Sequence, residues 1–225
     1  MIDIIITTIG RRTLAQALLA AVQQTHPDVR VVVIKDGPQD GAQRIVDALA
    51  ASGLLVGANV LTVQTPEHYG FGNNVKQWWI DDPRCSEWVR FLDDDDWMPP
   101  CAIEEMVNGI DGDDVTLVTC LMCTLIRFKG KPMRWRMNPA QMQPDKIGGG
   151  SAMFKRDAAR EAGGPLPVPV GDYTFLKRIA AQGRRVHVNA PLYFYNGWRC
   201  DVDRYGHHSP EFLAMRRREN RNARV

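Results

Sequence analysis

Over the first hundred residues, short apolar runs alternate with amphipathic stretches, and this alternation narrows the fold more than any other property of the chain. The run IDIIITT (Ile2–Thr8) is mostly apolar, as suits a strand buried on both faces. TLAQALLAAVQQ then has the spacing of an amphipathic helix, with Thr13 available as its cap. VRVVVIKDG predicts a second strand stopped by a turn, AQRIVDALAAS a helix, and NVLTVQT a third strand. NNVKQWWI is helical again, and EWVRFL predicts a fourth strand. A βαβαβαβ order of this kind builds a mostly parallel sheet covered by helices. Ligands of such sheets collect at the carboxyl ends of the strands. Those ends carry TTIGRR, KDGPQD and DDDD, so three polar segments should line one edge.

The second half changes character. DVTLVTCLMCTLIRFKGKPMRWRM predicts two strands around a Gly-Lys-Pro turn, and IGGGSAMFKRDAAREAGG a glycine-rich loop, a short strand and a helix. GDYTFLKRIAAQG predicts a capped helix closed by Gly183, and RRVHVNAPLYFYN further short strands. With no repeat and no clear linker, the two halves are expected to share one sheet. A chain of 225 residues is long enough for a sizeable core. Its net charge of +2 is too small to mark a polyanion-binding protein by itself, although Arg216, Arg217, Arg218, Arg221 and Arg224 crowd the end. The five cysteines are an odd number and the chain opens directly on MIDIIITT, which favours reduced thiols and a cytoplasmic location, free or peripheral to a membrane. No apolar run reaches the roughly 18 residues of a membrane span. Cys120 and Cys123 have metal-like spacing, but no second pair matches them, so buried strand thiols are expected.

WVRFLDDDDWMPP places four aspartates at the end of a strand. Two carboxylates 4 Å apart repel by about 1 kcal/mol in water and about 4 kcal/mol at an effective dielectric of 20. Either water or a positive charge must meet them. In an extended segment Asp93 and Asp95 would face one way, Asp94 and Asp96 the other. Pro99 and Pro100 end the segment, and Pro100 suits the first turn of the helix CAIEEMVNGI. Magnesium-like ions typically take one or two carboxylates plus substrate phosphates, so a metal–diphosphate complex would offset the repulsion. A solvated acidic turn is the alternative.

Four segments in series resemble the family-2, GT-A-fold glycosyltransferases. IIITTIGRRTLAQALLAAVQQTHPDVRVVVIKDGPQD resembles that family's opening, and FLDDDDWMPPCAIEEM its Asp-x-Asp segment followed by Pro and a helix. GGGSAMFKRDAAREAGG is similar to the strand and helix of its acceptor half, and GDYTFLKRIAAQG to the segment bearing the catalytic base. The resemblance runs from Ile2 to about Tyr195. It implies an α/β, Rossmann-like fold: a mostly parallel central sheet flanked by helices, with a smaller mixed sheet on the acceptor side. One domain would cover 1–208, with a nucleotide-sugar half at 1–98 and an acceptor half at 99–208, before a basic helix or tail at 209–225.

The resemblance also implies roles. Thr7, Thr8, Arg11, Asp36, Asn74, Lys76, Asp93 and Asp94 would bind the nucleotide of a nucleotide-sugar donor, with UDP as the family-level expectation. Asp95 would be the main ligand of Mn²⁺ or Mg²⁺, assisted by Asp93, with His207 or His208 completing the site. Asp172 would deprotonate an acceptor hydroxyl, and the sugar would transfer with inversion. Gly149, Gly150 and Trp198 would meet the acceptor, whether glycan, lipid-linked sugar, small molecule or nucleic acid. Three positions depart from the family pattern: Lys35 replaces an acid before Asp36, Pro38 replaces the usual Ser of that turn, and Gly171 replaces the Glu before Asp172.

Each role has a plainer counterpart. Asp172 could simply cap its helix. His207 and His208 could sit in an exposed loop, and Lys76 could be a solvated helix lysine. The glycines could only make a turn, although glycine also lets backbone approach a sugar closely. Trp78 and Trp79 are expected in the core; Trp135 and Trp198 could stack on an acceptor or pack internally. The arginine tail could be a solvated helix, a membrane contact or a nucleic-acid contact. Other functions remain open: nucleotidyl transfer, which would want a glycine-rich loop where TTIGRR has one glycine; a non-catalytic nucleotide-sugar module; or phosphatase chemistry on an aspartate.

Overall fold

A computed structural model describes residues 1–38, 40–70, 72–126, 134–137, 148–165 and 171–196. Four parallel strands form its first half, in the order β3 (Val60–Gln64), β2 (Val29–Lys35), β1 (Ile2–Thr8) and β4 (Trp88–Phe91). The sheet continues antiparallel through β7 (Ala152–Lys155), β5 (Val115–Ile126) and β6 (Arg134–Met137). The last strand, β8 (Arg184–Tyr195), pairs parallel with β5, giving an eight-stranded sheet. The mixed strands expected on the acceptor side thus extend the central sheet, and both halves share it.

Side chains alternate across a strand, and here both faces are buried. Ile4, Ile6, Val31 and Val33 pack with residues of helices α1 (Leu14–Val22), α2 (Asp40–Ala51) and α4 (Ala102–Asn108). Ile5, Val32 and Ile34 pack on the opposite face with α3 (Gly72–Asp81), α5 (Arg156–Glu161) and α6 (Gly171–Ala180). This two-sided cover explains why β1 and β2 read as continuous apolar runs. Each such side chain contributes about 1.5–3 kcal/mol when fully buried. Trp79 lies in the second cluster with no exposure, as expected of a core tryptophan. Cys120 and Cys123 are buried thiols on β5.

One acid sits inside this apolar frame. Asp3, in β1, has no solvent exposure. Arg30 donates to both its oxygens, at 2.8 and 2.9 Å. Trp79 Nε1 (2.9 Å), the Ser86 amide (3.0 Å) and Ser86 Oγ (2.7 Å) also donate to it. These bonds pin β1, β2, α3 and the entry to β4 together at the amino edge of the sheet. A second buried charge joins the halves: Arg90 of β4 donates to the Leu192 carbonyl of β8 at 2.8 Å and contacts the sulfur of Met106.

Three local expectations are corrected. Thr13 makes no capping hydrogen bond; it already has helical dihedrals, and its buried hydroxyl lacks a hydrogen-bond partner. Pro100 stands ahead of Cys101, the residue preceding α4, and so lies outside that helix. RRVHVNAPLYFY is one long strand, not several; irregular register near Val188–Tyr193 lets it pass Pro191 while still pairing with β5.

Candidate active site

The parallel register brings the expected strand ends to one edge. Thr8 lies beside Lys35, Lys35 beside Gln64, and Ile5 beside Phe91. The segments after β1, β2, β3 and β4 therefore emerge together. The loop after β3 was not among the expected contributors, yet it supplies three partners of Asp36. The Tyr69 and Gly70 amides donate to the Asp36 carboxylate at 2.7 and 3.0 Å, and His68 Nδ1 lies 2.9 Å from it. Asp36 is 4% exposed, so its carboxylate holds this loop against the end of β2. Asn74 reaches the same loop, donating to the Tyr69 carbonyl at 3.5 Å. Thr7 lies beside Gly72, where an added Cβ would come within 3.3 Å of the threonine hydroxyl.

The four aspartates do not continue the strand. β4 ends at Phe91, and the Asp96 amide donates back to the Asp93 carbonyl at 3.0 Å, closing a tight turn. The expected division into two sets survives the change of conformation: Asp93 and Asp95 are partly exposed, Asp94 and Asp96 buried. Each set has its own partners. Asp94 accepts from Thr8 Oγ1 at 2.7 Å and from Arg11 Nη1 at 3.1 Å, while Thr8 Oγ1 in turn accepts from the Gly10 amide. Arg11 also lies 3.8 Å from Asp95. The loop after β1 thus supplies the positive charge that four adjacent carboxylates require.

Asp93 meets a second cation. Lys76 Nζ, from α3, lies 2.7 Å from Asp93 Oδ1 and 4.9 Å from the Phe91 ring centroid. Burial works against the lysine's charge, but its pKa is still raised, because Asp93 pairs with it and Asp172 and Asp96 add their fields. Lys76 is therefore neither a solvated helix lysine nor remote from the second half of the chain.

Asp172 lies inside the first turn of α6, not ahead of the helix as a cap would. Its Oδ2 accepts from the Gly149 amide at 3.1 Å. Gly149 and Gly150 form a 3-10 turn with Ser151 just before β7. Both glycines are tightly confined. A Cβ on Gly149 would come within 2.9 Å of Asp172 Oδ2, and one on Gly150 would overlap the hydroxyl end of Tyr193.

Asp96 has a long-range role that local sequence did not reveal. It accepts from the Tyr193 hydroxyl and, at 2.7 Å, from the Asn196 amide. Burial, followed by the charges of Asp93 and Asp95, pushes its carboxyl well above the usual range, while Tyr193 and Asn196 oppose the shift. Trp97 and Phe194 exchange backbone hydrogen bonds at 3.1 and 2.8 Å beside this contact. Tyr193 and Asn196 were not among the sequence candidates, and YFYN offers no local signal that a tyrosine would meet an aspartate 97 positions earlier. Trp198, His207, His208 and the arginine tail lie outside the described residues.

The family model of glycosyl transferase family 2 matches residues 3–184. The chain belongs to that family. A putative glycosyltransferase, EpsH of Bacillus subtilis (strain 168), is 29% identical over 110 residues, which is 49% of this chain and 30% of EpsH. Among solved structures, S. aureus TarS 1–349 in complex with UDP-GlcNAc matches with a TM-score of 0.71 at 14% identity, over 96% of this chain and 64% of that one. The mannosyltransferase PcManGT of Pyrobaculum calidifontis, in complex with GDP-Man and Mn²⁺, matches with a TM-score of 0.66 at 19% identity, over 92% of this chain and 58% of that one. The chain spans under two thirds of the length of each of these proteins. At such identities the solved structures establish the shared GT-A fold. Among the described residues, no helix is long and apolar enough to cross a membrane.

Proposed function

We propose that this chain transfers a sugar from a nucleoside-diphosphate sugar to an acceptor hydroxyl, with inversion, by a single displacement in which Asp172 is the general base. One observation carries the reading: Tyr193 donates its hydroxyl to Asp96 of the aspartate turn and rests against Gly150, whose neighbour Gly149 donates its amide to Asp172. Metal-side carboxylates from one half of the chain and a candidate base from the other thus border one site. The acceptor oxygen attacks the anomeric carbon, the bond from that carbon to the diphosphate oxygen breaks, and the hydroxyl proton passes to Asp172. The Gly149 amide orients the Asp172 carboxylate for this transfer.

The donor set suits a hard divalent ion. Asp93, with its side chain 43% exposed, and the nearly buried Asp95 beside it supply the carboxylates, and no group of three or more acidic, histidine or cysteine side chains gathers for a metal among the described residues. Two carboxylates completed by substrate phosphates match the habit of Mg²⁺, and Mn²⁺ accompanies GDP-Man in the mannosyltransferase PcManGT. When bound, the ion would supply Lewis-acid stabilisation to the departing diphosphate. Arg11 and Lys76 keep the carboxylates ordered in the meantime. A UDP-linked donor follows from the family resemblance and is consistent with the UDP-GlcNAc held by TarS.

The test is a panel of UDP- and GDP-sugars, with and without Mn²⁺, read by thermal shift and by release of the nucleoside diphosphate. One donor should stabilise the protein only with metal, because ligands of the native state raise stability by mass action. Asp172→Asn should retain that shift and lose transfer by about 10²–10⁴-fold. Loss of the shift in this variant would move Asp172 to donor binding, and a metal-dependent shift with no sugar release in wild type would leave a binding module.

A further inference from the structure

We propose that Tyr193 is a positioning residue that fixes how far the aspartate turn stands from Asp172. The inference rests on the reading of the site as a glycosyltransferase centre. A single displacement needs the leaving diphosphate and the base on opposite sides of one carbon, with the reacting atoms about 3–3.5 Å apart. These groups come from separate turns, and something rigid must set their spacing.

The hydroxyl end of Tyr193 touches both turns. Its hydroxyl donates to Asp96, the residue after Asp95, and the Asn196 amide holds the other oxygen of the same carboxylate. On the acceptor side, a Cβ at Gly150 would overlap Tyr193 Cζ, Oη and Cε2, so the glycine turn rests directly on the phenol. The neighbouring Gly149 amide holds Asp172. The path from metal-side carboxylate to base is therefore Asp95, Asp96, Tyr193, Gly150, Gly149, Asp172. Tyr193 is itself fixed: it is 2% exposed, lies in β8 opposite Met122 of β5, and precedes Phe194, which exchanges backbone hydrogen bonds with Trp97. Glycine at 150 then has a reason beyond approach of a sugar, since a larger residue would push the strut out of place.

Tyr193→Phe keeps the ring and removes the hydroxyl. Two readouts are needed. Hydrogen exchange should quicken at the amides of both turns, 95–97 and 149–151, and stay unchanged in the β2–β3 pair. In donor hydrolysis or transfer, kcat should fall by roughly 10- to 100-fold while the donor KM and the melting temperature stay near wild type. Gly150→Ala, which disturbs the same contact from the other side, should lower kcat with the donor KM again near wild type, together with a lower melting temperature because its Cβ would overlap the buried phenol. Faster exchange at one turn only, or wild-type kcat in both variants, overturns the proposal. So does a loss of kcat, donor affinity and melting temperature together, which describes a merely structural tyrosine. If wild type releases no nucleoside diphosphate from any donor, the functional reading fails and the positioning role falls with it; full donor turnover with uncoupled exchange sinks the positioning role alone.

Discussion

Two groups of aspartate occupy opposite ends of the same parallel strands. At the amino edge, Asp3 is wholly buried and receives donors from Arg30, Trp79 and Ser86. At the carboxyl edge, Asp93–Asp96 differ: Asp94 and Asp96 are buried against Thr8, Arg11, Tyr193 and Asn196, the Asp95 side chain is 9% exposed, and that of Asp93 is 43% exposed. A buried carboxylate surrounded by protein donors acts as a structural clamp. A partly exposed one, backed by buried neighbours, can exchange partners without loosening the fold. The structural clamp and the site proposed for chemistry thereby lie at opposite edges of one sheet.

This contrast can be tested from either end. The largest effect is expected at Asp95→Ala, which should lower metal-dependent activity by about 10³-fold while leaving the urea midpoint unchanged or higher, since one repelling charge is gone. A parallel loss of stability would show that the turn is also a clamp. Asp3→Ala should do the reverse. It leaves Arg30, Trp79 and Ser86 without their acceptor, and should cost about 3 kcal/mol in a urea titration, with near-normal turnover per folded molecule. The smallest effect comes from a thiol beside the Asp3 clamp. Burial, and then the charge of Asp3, push Cys85 up to about 12. The unfolded thiol titrates near 9, so above that pH the unfolded state sheds a proton that the folded state keeps, and stability falls as pH rises toward 12. Cys85→Ser should flatten that alkaline decline. Native Cys85 should resist alkylation at pH 9, and rapid labelling there would show that the amino edge opens.

Most of the frame was legible because it depends on local pattern. Strands β1 and β2 follow from continuous β-branched runs, and the edge on which the candidate site lies follows from parallel order alone. The two-sided character of the aspartates was also legible, although it arises in a turn and not in an extended strand. What escaped depends on distant contacts. Nothing near Thr13 reveals that its helical geometry removes it from a capping role. Nothing near Asp36 shows that the Tyr69 and Gly70 amides will take its carboxylate. Asp3 did leave a trace, a lone acid in an apolar strand, which should prompt a search for a buried basic partner. Tyr193 left none, because its meaning lies in two turns about 100 and 40 residues away along a folded path that only long-range pairing creates.

The late position of β8 bears on the order in which a nascent chain becomes competent. The parallel half and the aspartate turn leave the ribosome well before the residues that complete the turn, since Asn196 follows Asp96 by 100 positions. Domains assemble from the N-terminus during synthesis. A chain halted before Tyr193 would carry the four aspartates with no latch behind Asp96, and hence the acidic residues without the contacts that hold their turn.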